Sequence, residues 1–327
     1  MGKTRKFSCG IGSFGNVSDR FVTEGYKNAV SVKGMIGMAR QILEIGALEF
    51  VHGAHVTRET AGKVKVWMDE AGFKTSIVLP DLWTKKKWGK GSLTSRDPQI
   101  RKDAKAEIWE AIAVAKMLGC DMINIWFGQD GWEYSFCQDY IEAWKTISES
   151  IREIALVNKD IKIAIEYKIK EPRANMHIGT VCKVLMLIKD IGCENVGVVL
   201  DIGHAFAAYE NPSQCAALLK MNGDKLFHTH FNDNYRMWDD DMIAGSIHTI
   251  EYLEFLYWMR KTDFTGWYSL DIFPYREDGI KAAQESINWI NCLDSIIDKI
   301  GVGEIGKIIV LDDSNAALSM IRKALFV

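Results

Sequence analysis

The sequence predicts an α/β chain folded as a (β/α)8 TIM barrel with a helical extension at its carboxyl end. Three observations carry that expectation. Strand-like and helix-like segments alternate eight times along 327 residues. Segments such as 196–200, VGVVL, are apolar on both faces, as parallel strands covered on both sides must be. Eight such units favour a closed ring over an open doubly wound sheet, and the length suits one large barrel.

The elements follow in order. A first strand is expected over 6–9, a helix over 33–45, a strand over 48–52 and a helix over 58–70 that ends at Gly72. The third strand spans 75–79, and a polar stretch, 81–95, follows with Trp83, Trp88 and four lysines. That stretch reads as a lid, a subunit contact or a solvated loop with hydrophobic anchors. Asp97-Pro98 has the chemistry of an N-cap and first helical residue. Its helix carries Ile100, Ala104, Ile108, Ile112 and Ala115 on one face and closes at Gly119. Strand four is expected over 122–127, then an aromatic loop and a helix over 140–157.

Residues 161–173, IKIAIEYKIKEPR, alternate with period two. Ile161, Ile163 and Ile165 fall on one side and Lys162, Ala164 and Glu166 on the other. Strand five therefore runs over 161–168, with Glu166 and Lys168 pointing the same way at its carboxyl end and Pro172 stopping it. The remaining helices are expected over 181–191, 212–221, 250–261 and 280–300, and the remaining strands over 196–201, 226–230 and 267–273. Residues 1–300 form the barrel, and 301–327 a helical extension of the same domain.

Composition narrows the function classes. At 48% hydrophobic and 25% charged residues, with a net charge of −3, the chain is ordinary for a soluble globular protein and has no nucleic-acid or membrane footprint. No stretch approaches the roughly 20 apolar residues of a membrane helix. MGKTRKFSCG has no apolar run behind its positive charge, so no signal peptide is expected. Seven scattered cysteines without a CxxC pair indicate free thiols in a reducing cytoplasm. Gly10-Ile11-Gly12-Ser13-Phe14-Gly15 matches GxGxxG, but a dinucleotide site needs a helix opening at once, and a loop is expected here. Phe14 and Arg20 in that region are candidates to face a ligand.

In a barrel, side chains at the carboxyl ends of strands converge on one pocket. Strand five ends with Glu166 and Lys168, and strand six, VVLDIGH, with Asp201 and then His204. Strand seven, FHTHFND, gives His228 and His230, and strand eight, SLDIF, gives Asp271. Glu166, Asp201, His230 and Asp271 make an oxygen-rich set suited to one divalent cation, Mn²⁺ above all, with Mg²⁺, Co²⁺ or Zn²⁺ as alternatives. Without a cation, three anions so placed repel one another and raise their pKa values. A second acidic run, Asp233 and then Asp239-Asp240-Asp241, lies beside Trp238. With His204 it could hold a second cation or bind sugar hydroxyls.

The motifs IEYKIKEPR, VVLDIGHA, THFNDNYRMWDDDMIAGS and GWYSLDIFPYRED together resemble the xylose-isomerase-like TIM barrels, the sugar phosphate isomerase/epimerase family. L-rhamnose isomerase, the ketose 3-epimerases and the catalytic subunits of C-glycoside deglycosidases are members. The resemblance implies that Glu166, Asp201, His230 and Asp271 bind the main metal. It also implies that His204, Asp239 and Asp241 match a second metal site, and Lys168 a strand-five lysine. The 3-epimerases carry a glutamate where Asp271 stands. Endonuclease IV shares the barrel but needs more histidines than this pattern offers.

The activity so implied is proton removal beside a sugar carbonyl, with Glu166 and Asp271 as bases and Lys168 or His204 as acid or relay. An isomerase, an epimerase or a carbon–carbon lyase on a 3-oxo-glycoside could be built on it. The partners implied are a small sugar or glycoside and either a homo-oligomer or, for the lyase, a small β subunit. Substrate-facing candidates are Trp126 and Gln129 after strand four, His52 and His55 after strand two, Arg173, and Trp238.

Overall fold

A computed structural model describes residues 5–326. Residues 1–4, part of the stretch read for a signal peptide, lie outside the described residues. The barrel begins with β1 (Lys6–Gly10), α1 (Val32–Ala39), β2 (Ile45–Val51), α2 (Ala61–Ala71), β3 (Lys74–Leu79), α3 (Pro98–Met117) and β4 (Met122–Trp126). A two-residue strand β5 (Gly131–Trp132) precedes α4 (Tyr140–Val157), β6 (Lys162–Glu166) and its small partner β7 (Asn175–Met176). Then come α5 (Val181–Ile191), β8 (Val196–Asp201), α6 (Ile202–Ala207), α7 (Pro212–Met221), β9 (Leu226–Phe231), α8 (Thr249–Lys261), β10 (Trp267–Leu270) and α9 (Gly279–Ile300). Two helices, α10 (Val302–Leu311) and α11 (Ser314–Phe326), end the chain.

Eight strands close in the order β1-β10-β9-β8-β6-β4-β3-β2, all parallel, while β5 and β7 pair antiparallel outside the ring. This is the TIM barrel the alternation predicts. Val196, Val198 and Leu200 are fully buried along with Gly197 and Val199, as a strand covered by helices on one side and barrel interior on the other requires. Local chemistry sets several helix starts. Asp97 accepts from the Gln99 amide, Asp139 from those of Ile141 and Glu142, and Asn211 from those of Ser213 and Gln214.

The structure departs from expectation at several ends. The first helix stops at Ala39 rather than residue 45, because Ile45 already starts β2. The strand expected over 161–168 ends at Glu166, and the one over 267–273 ends at Leu270, where the chain peels off to build the mouth. The GxGxxG stretch, by contrast, meets expectation: a single 3-10 turn, Ile11–Phe14, leads into a loop, and no α-helix opens until Val32. Phe14 is in the core rather than facing a ligand. The 81–95 stretch is anchored: Trp88 and Leu93 are fully buried, and buried Asp130 holds it by accepting from the Ser92 and Thr94 amides and hydroxyls. Beyond α9, Ile305 reaches the core, whereas α11 only rests Met320, Ala324 and Leu325 against it. No helix among the described residues is long and apolar enough to cross a membrane.

Candidate functional site

At the carboxyl ends of the strands, Glu166 (β6), Asp201 (β8), His230 (β9) and Asp271 (just past β10) bring one ligand atom each to within 4.8 Å of one another. His230 Nδ1 is the focus. It lies 3.2 Å from Glu166 Oε1, 3.3 Å from Asp271 Oδ2 and 3.7 Å from Asp201 Oδ2. Two buried amides fix the carboxylates from behind. Asn124 on β4 donates to Glu166 Oε2, and Asn232 donates to Asp201 Oδ2 at 2.9 Å. Asp201 Oδ1 also caps α6 by accepting from the His204 amide at 2.8 Å. A Cβ at Gly203 would sit 2.0 Å from Asn232 Oδ1, so only glycine lets α6 start against that amide.

The electrostatics of this set are those of crowded anions short of positive charge. Burial raises Asp271 to about 7 and Asp201 to about 6, with neighbouring carboxylates adding to both. Burial also pushes Glu166 upward, yet His230 and His204 pull it, net, below the ordinary carboxylate value. His230 moves the opposite way: burial disfavours its charge, but Glu166, Glu49 and Asp271 hold its pKa well above the ordinary one. The imidazolium thus stands in for positive charge that three anions require. Three carboxylates and one imidazole, all buried or half-buried, fit a hard divalent ion.

A second layer lies above. His204 Nε2 is 3.1 Å from Asp239 Oδ2, and Lys168 Nζ is 2.7 Å from the same oxygen and 3.2 Å from Glu171. His204 Nδ1 stands 3.4 Å from Glu166 Oε1, without a hydrogen bond, and Asp239 Oδ1 also has none. Burial works against the Lys168 ammonium, but Asp239, Glu171 and Asp241 outweigh it. Asp239 is correspondingly held low by Lys168 and His204 against its burial, while Asp241 is pushed well up by burial and by Asp239. Where a second cation is expected, Asp239 therefore already has an ammonium partner. Asp233, grouped with these acids by sequence, is structural. It accepts from the Ile247 and His248 amides and from His248 Nδ1, locking the loop before α8.

The other expected residues scatter. Trp126 lies under the Lys168 ammonium, 5.2 Å from its ring centroid, and packs edge-on against Trp83, with its indole N–H unpartnered. Gln129 donates to the Trp83 carbonyl at 3.3 Å. His55 lines a small cavity of about 70 Å³ shared with Glu49, His230 and Asp271. His52 turns away from that cavity onto Glu107 of α3. Arg173 is spent on an ion pair with Glu133, to which its Nη2 donates at 2.7 Å, and on the Gly89 carbonyl. Trp238 and Arg173 line a cavity of about 1160 Å³ that reaches Asp239 and Asp241 but none of the four clustered residues, with Arg20 stacked near Trp238 and Phe21 and Phe273 beside it.

Sequence reasoning missed Glu49. It lies on β2 amid Leu48 and Phe50, is 4% exposed, and crosses the barrel interior to His228 Nε2 at 2.6 Å and His230 Nε2 at 3.1 Å. A lone acid in an otherwise apolar strand was the available signal.

Such a barrel, with a buried carboxylate–imidazole centre at the carboxyl ends of its strands, has the layout of a barrel enzyme. The chain belongs to the xylose isomerase-like TIM barrel family, whose model matches residues 40–292. It is 28% identical over 191 residues to a xylose isomerase of Thermus thermophilus, covering 56% of this chain and 49% of that protein. To the xylose isomerase of Thermus caldophilus it is 27% identical over 185 residues, 55% of this chain and 48% of that one. The chain thus matches about half the length of these curated relatives. Among solved structures, an L-ribulose 3-epimerase superposes with a TM-score of 0.70 at 13% identity, covering 95% of this chain and 99% of that one. A D-tagatose 3-epimerase-like protein gives 0.66 at 19%, covering 89% and 99%. A 3-keto-D-glucoside 4-epimerase from E. coli gives 0.66 at 16%, covering 88% and 99%. At these identities the structural likeness is one of fold.

Proposed function

We propose that this chain is a divalent-cation-dependent sugar isomerase or epimerase that moves a proton at the carbon beside a sugar carbonyl. One observation carries the reading: Glu166, Asp201, His230 and Asp271, from four strands, converge at the barrel mouth with ligand atoms within 4.8 Å. Those four would hold the ion, and the oxygen-rich set favours Mn²⁺, Mg²⁺ or Co²⁺. When bound, the ion would supply electrophilic stabilisation for the negative charge that develops on the sugar oxygens. The xylose isomerases and 3-epimerases it resembles accord with this class of substrate.

The chain's own groups do the rest. Glu166 and Asp271 flank one focus and are the two groups fit to take and return the carbon-bound proton. Return to the neighbouring carbon gives an isomer; return to the same carbon from the opposite face gives an epimer. Lys168, held by Asp239 and Glu171, and His204 above Glu166 are placed to donate to or relay protons from the substrate oxygens. Trp126, packed under the Lys168 ammonium with its indole N–H buried, would back that lysine on the substrate side.

A second reading is a carbon–carbon lyase on a 3-oxo-glycoside, working with a small β subunit. What favours it is the cavity of about 1160 Å³ that adjoins the site at Asp239 and Asp241, with Phe21, Trp238 and Phe273 in its lining, room and apolar surface enough for an aglycone. A homo-oligomer goes with the first reading and a hetero-oligomer with the second. The seven free cysteines are in keeping with a reducing compartment for either.

The test is deuterium uptake. Aldoses, ketoses and 3-oxo-glycosides are incubated with Mn²⁺-loaded protein in D₂O and read by mass spectrometry. One deuterium in a recovered sugar supports proton abstraction, and the carbon labelled separates isomerase from epimerase. Aglycone release would favour the lyase. No uptake and no release with any substrate would refute the proton-abstraction reading.

A further inference from the structure

The barrel interior below the cation set holds a polar knot that the proposed chemistry does not use. Glu49 of β2 spends both carboxylate oxygens there. Oε1 accepts from His228 Nε2 at 2.6 Å and from the Ser269 hydroxyl, and Oε2 accepts from His230 Nε2 at 3.1 Å. All four residues are buried, Glu49 at 4% exposure and the other three at 1% or less. Ligand atoms of Glu49, His228 and His230 also cluster within 4.8 Å. Those atoms already satisfy one another, so the trio serves as a support rather than a second cation centre.

The geometry has a consequence for His230. An ionised carboxylate only accepts, so Nε2 of His230 must carry a proton to bond Glu49. In the neutral ring the lone pair then resides on Nδ1, the atom that faces Glu166, Asp271 and Asp201 at 3.2, 3.3 and 3.7 Å. A ring flip or the other tautomer would break the bond to Glu49 deep in the barrel, where an unpaired charge is costly. His228 is held by the same carboxylate, and its ring stands edge-on to His230, 5.5 Å between centroids, which restricts that flip.

We propose that Glu49 is a positioning residue that fixes His230 in the Nε2-protonated tautomer, with Nδ1 presented to a divalent cation. The inference rests on the cation reading above. Glu49 would not touch substrate or ion. Its action runs wholly through the imidazole, the arrangement in which a carboxylate behind a ligating histidine sets ring orientation and basicity. The reach across the barrel, from β2 to β9, explains a charged side chain in a strand that is otherwise apolar.

Mn²⁺ affinity of metal-stripped protein, measured by competition with a chromophoric chelator, tests this alongside the circular dichroism of each variant. Glu49→Gln should fold and bind Mn²⁺ about 10–100-fold more weakly, while Ser269→Ala, which removes Glu49's third donor without touching His230, should change affinity less than about 3-fold. Equal affinity for Glu49→Gln and native protein would overturn the inference while leaving the cation site standing; failure of native protein to bind Mn²⁺ would overturn both. Should Glu49→Gln not fold, ¹⁵N-histidine spectra of native protein loaded with diamagnetic Zn²⁺ decide the matter. His230 protonated at Nε2 and metal-bound at Nδ1 is expected, and binding through Nε2 would refute the proposal.

Discussion

Replacing Asp271 with asparagine should stabilise the metal-stripped protein and remove most of its stabilisation by metal. Burial, with Glu166, Asp201 and Glu49 adding to it, drives the Asp271 carboxyl group from 3.8 to about 7 against the pull of His230. The unfolded chain loses that proton near 3.8 and the folded chain near 7, so the associated stability is present at low pH and lost as pH rises through 7. At pH 8 the full cost is felt, on the order of 4 kcal/mol for a buried group. The side chain is 31% exposed, and solvent screening brings the figure to about 2 kcal/mol. At ~2.1 cal/mol/K per residue, 327 residues unfold with ~0.7 kcal/mol/K, so Asp271→Asn should raise Tm by ~3 K in EDTA. Saturating Mn²⁺ at about 100 times Kd adds ~2.7 kcal/mol, or ~4 K, to native protein. The variant, lacking one donor and binding about 100-fold more weakly, should gain under ~1 K at the same concentration. Differential scanning calorimetry at pH 8 with EDTA and with Mn²⁺ reads all four values. A lower Tm for the variant in EDTA, or an undiminished Mn²⁺ gain, would be incompatible with a strained carboxylate at Asp271 that a cation relieves.

Other perturbations probe the surroundings. Lys168→Met leaves Asp239 and Glu171 without their ammonium partner; the deuterium exchange rate should fall ~10²-fold or more and stability by ~3 kcal/mol, and an unchanged rate would remove Lys168 from the proton path. Asp130→Ala strands the buried Ser92 and Thr94 donors, so urea unfolding should show a loss of ~4 kcal/mol and limited proteolysis should cut within 81–95; a loop that stays resistant would contradict the anchoring role. Burial, with Lys183 and Arg173 adding to it, holds His177 down to about 4. The unfolded ring takes its proton near 6.5, so its contribution is present above that value and lost as pH falls toward 4. His177→Phe should therefore lessen the drop in stability between pH 7 and 4.5 by ~2 kcal/mol, and an unaltered pH profile would count against it.

Where local chemistry dictates structure, the chain could be read directly. The helices Tyr140–Val157, Val181–Ile191 and Pro212–Met221 and the strand Val196–Asp201 fall where periodicity puts them, because capping side chains and apolar spacing act within a few residues. The meeting of Glu166, Asp201, His230 and Asp271 was legible because parallel strands all deliver their carboxyl ends to one end of the barrel. Glu49 was not, since its partners His228 and His230 lie 179 and 181 residues away. Nor could sequence separate Asp233, which locks a loop, from Asp239, which faces the site; the same side chain does either, depending on where the backbone turns it. The two-residue strands β5 and β7 carry too few positions for any period to register.

Four side chains at the ends of four strands, Glu166, Asp201, His230 and Asp271, are proposed to share one ion. An anomalous-difference map from a crystal grown with Mn²⁺ tests it most directly. One strong peak within ~2.0–2.5 Å of a carboxylate oxygen of each of Glu166, Asp201 and Asp271 and of His230 Nδ1 is the expected result. A peak seated instead among Glu49, His228 and His230, or no peak in the barrel at all, would contradict it.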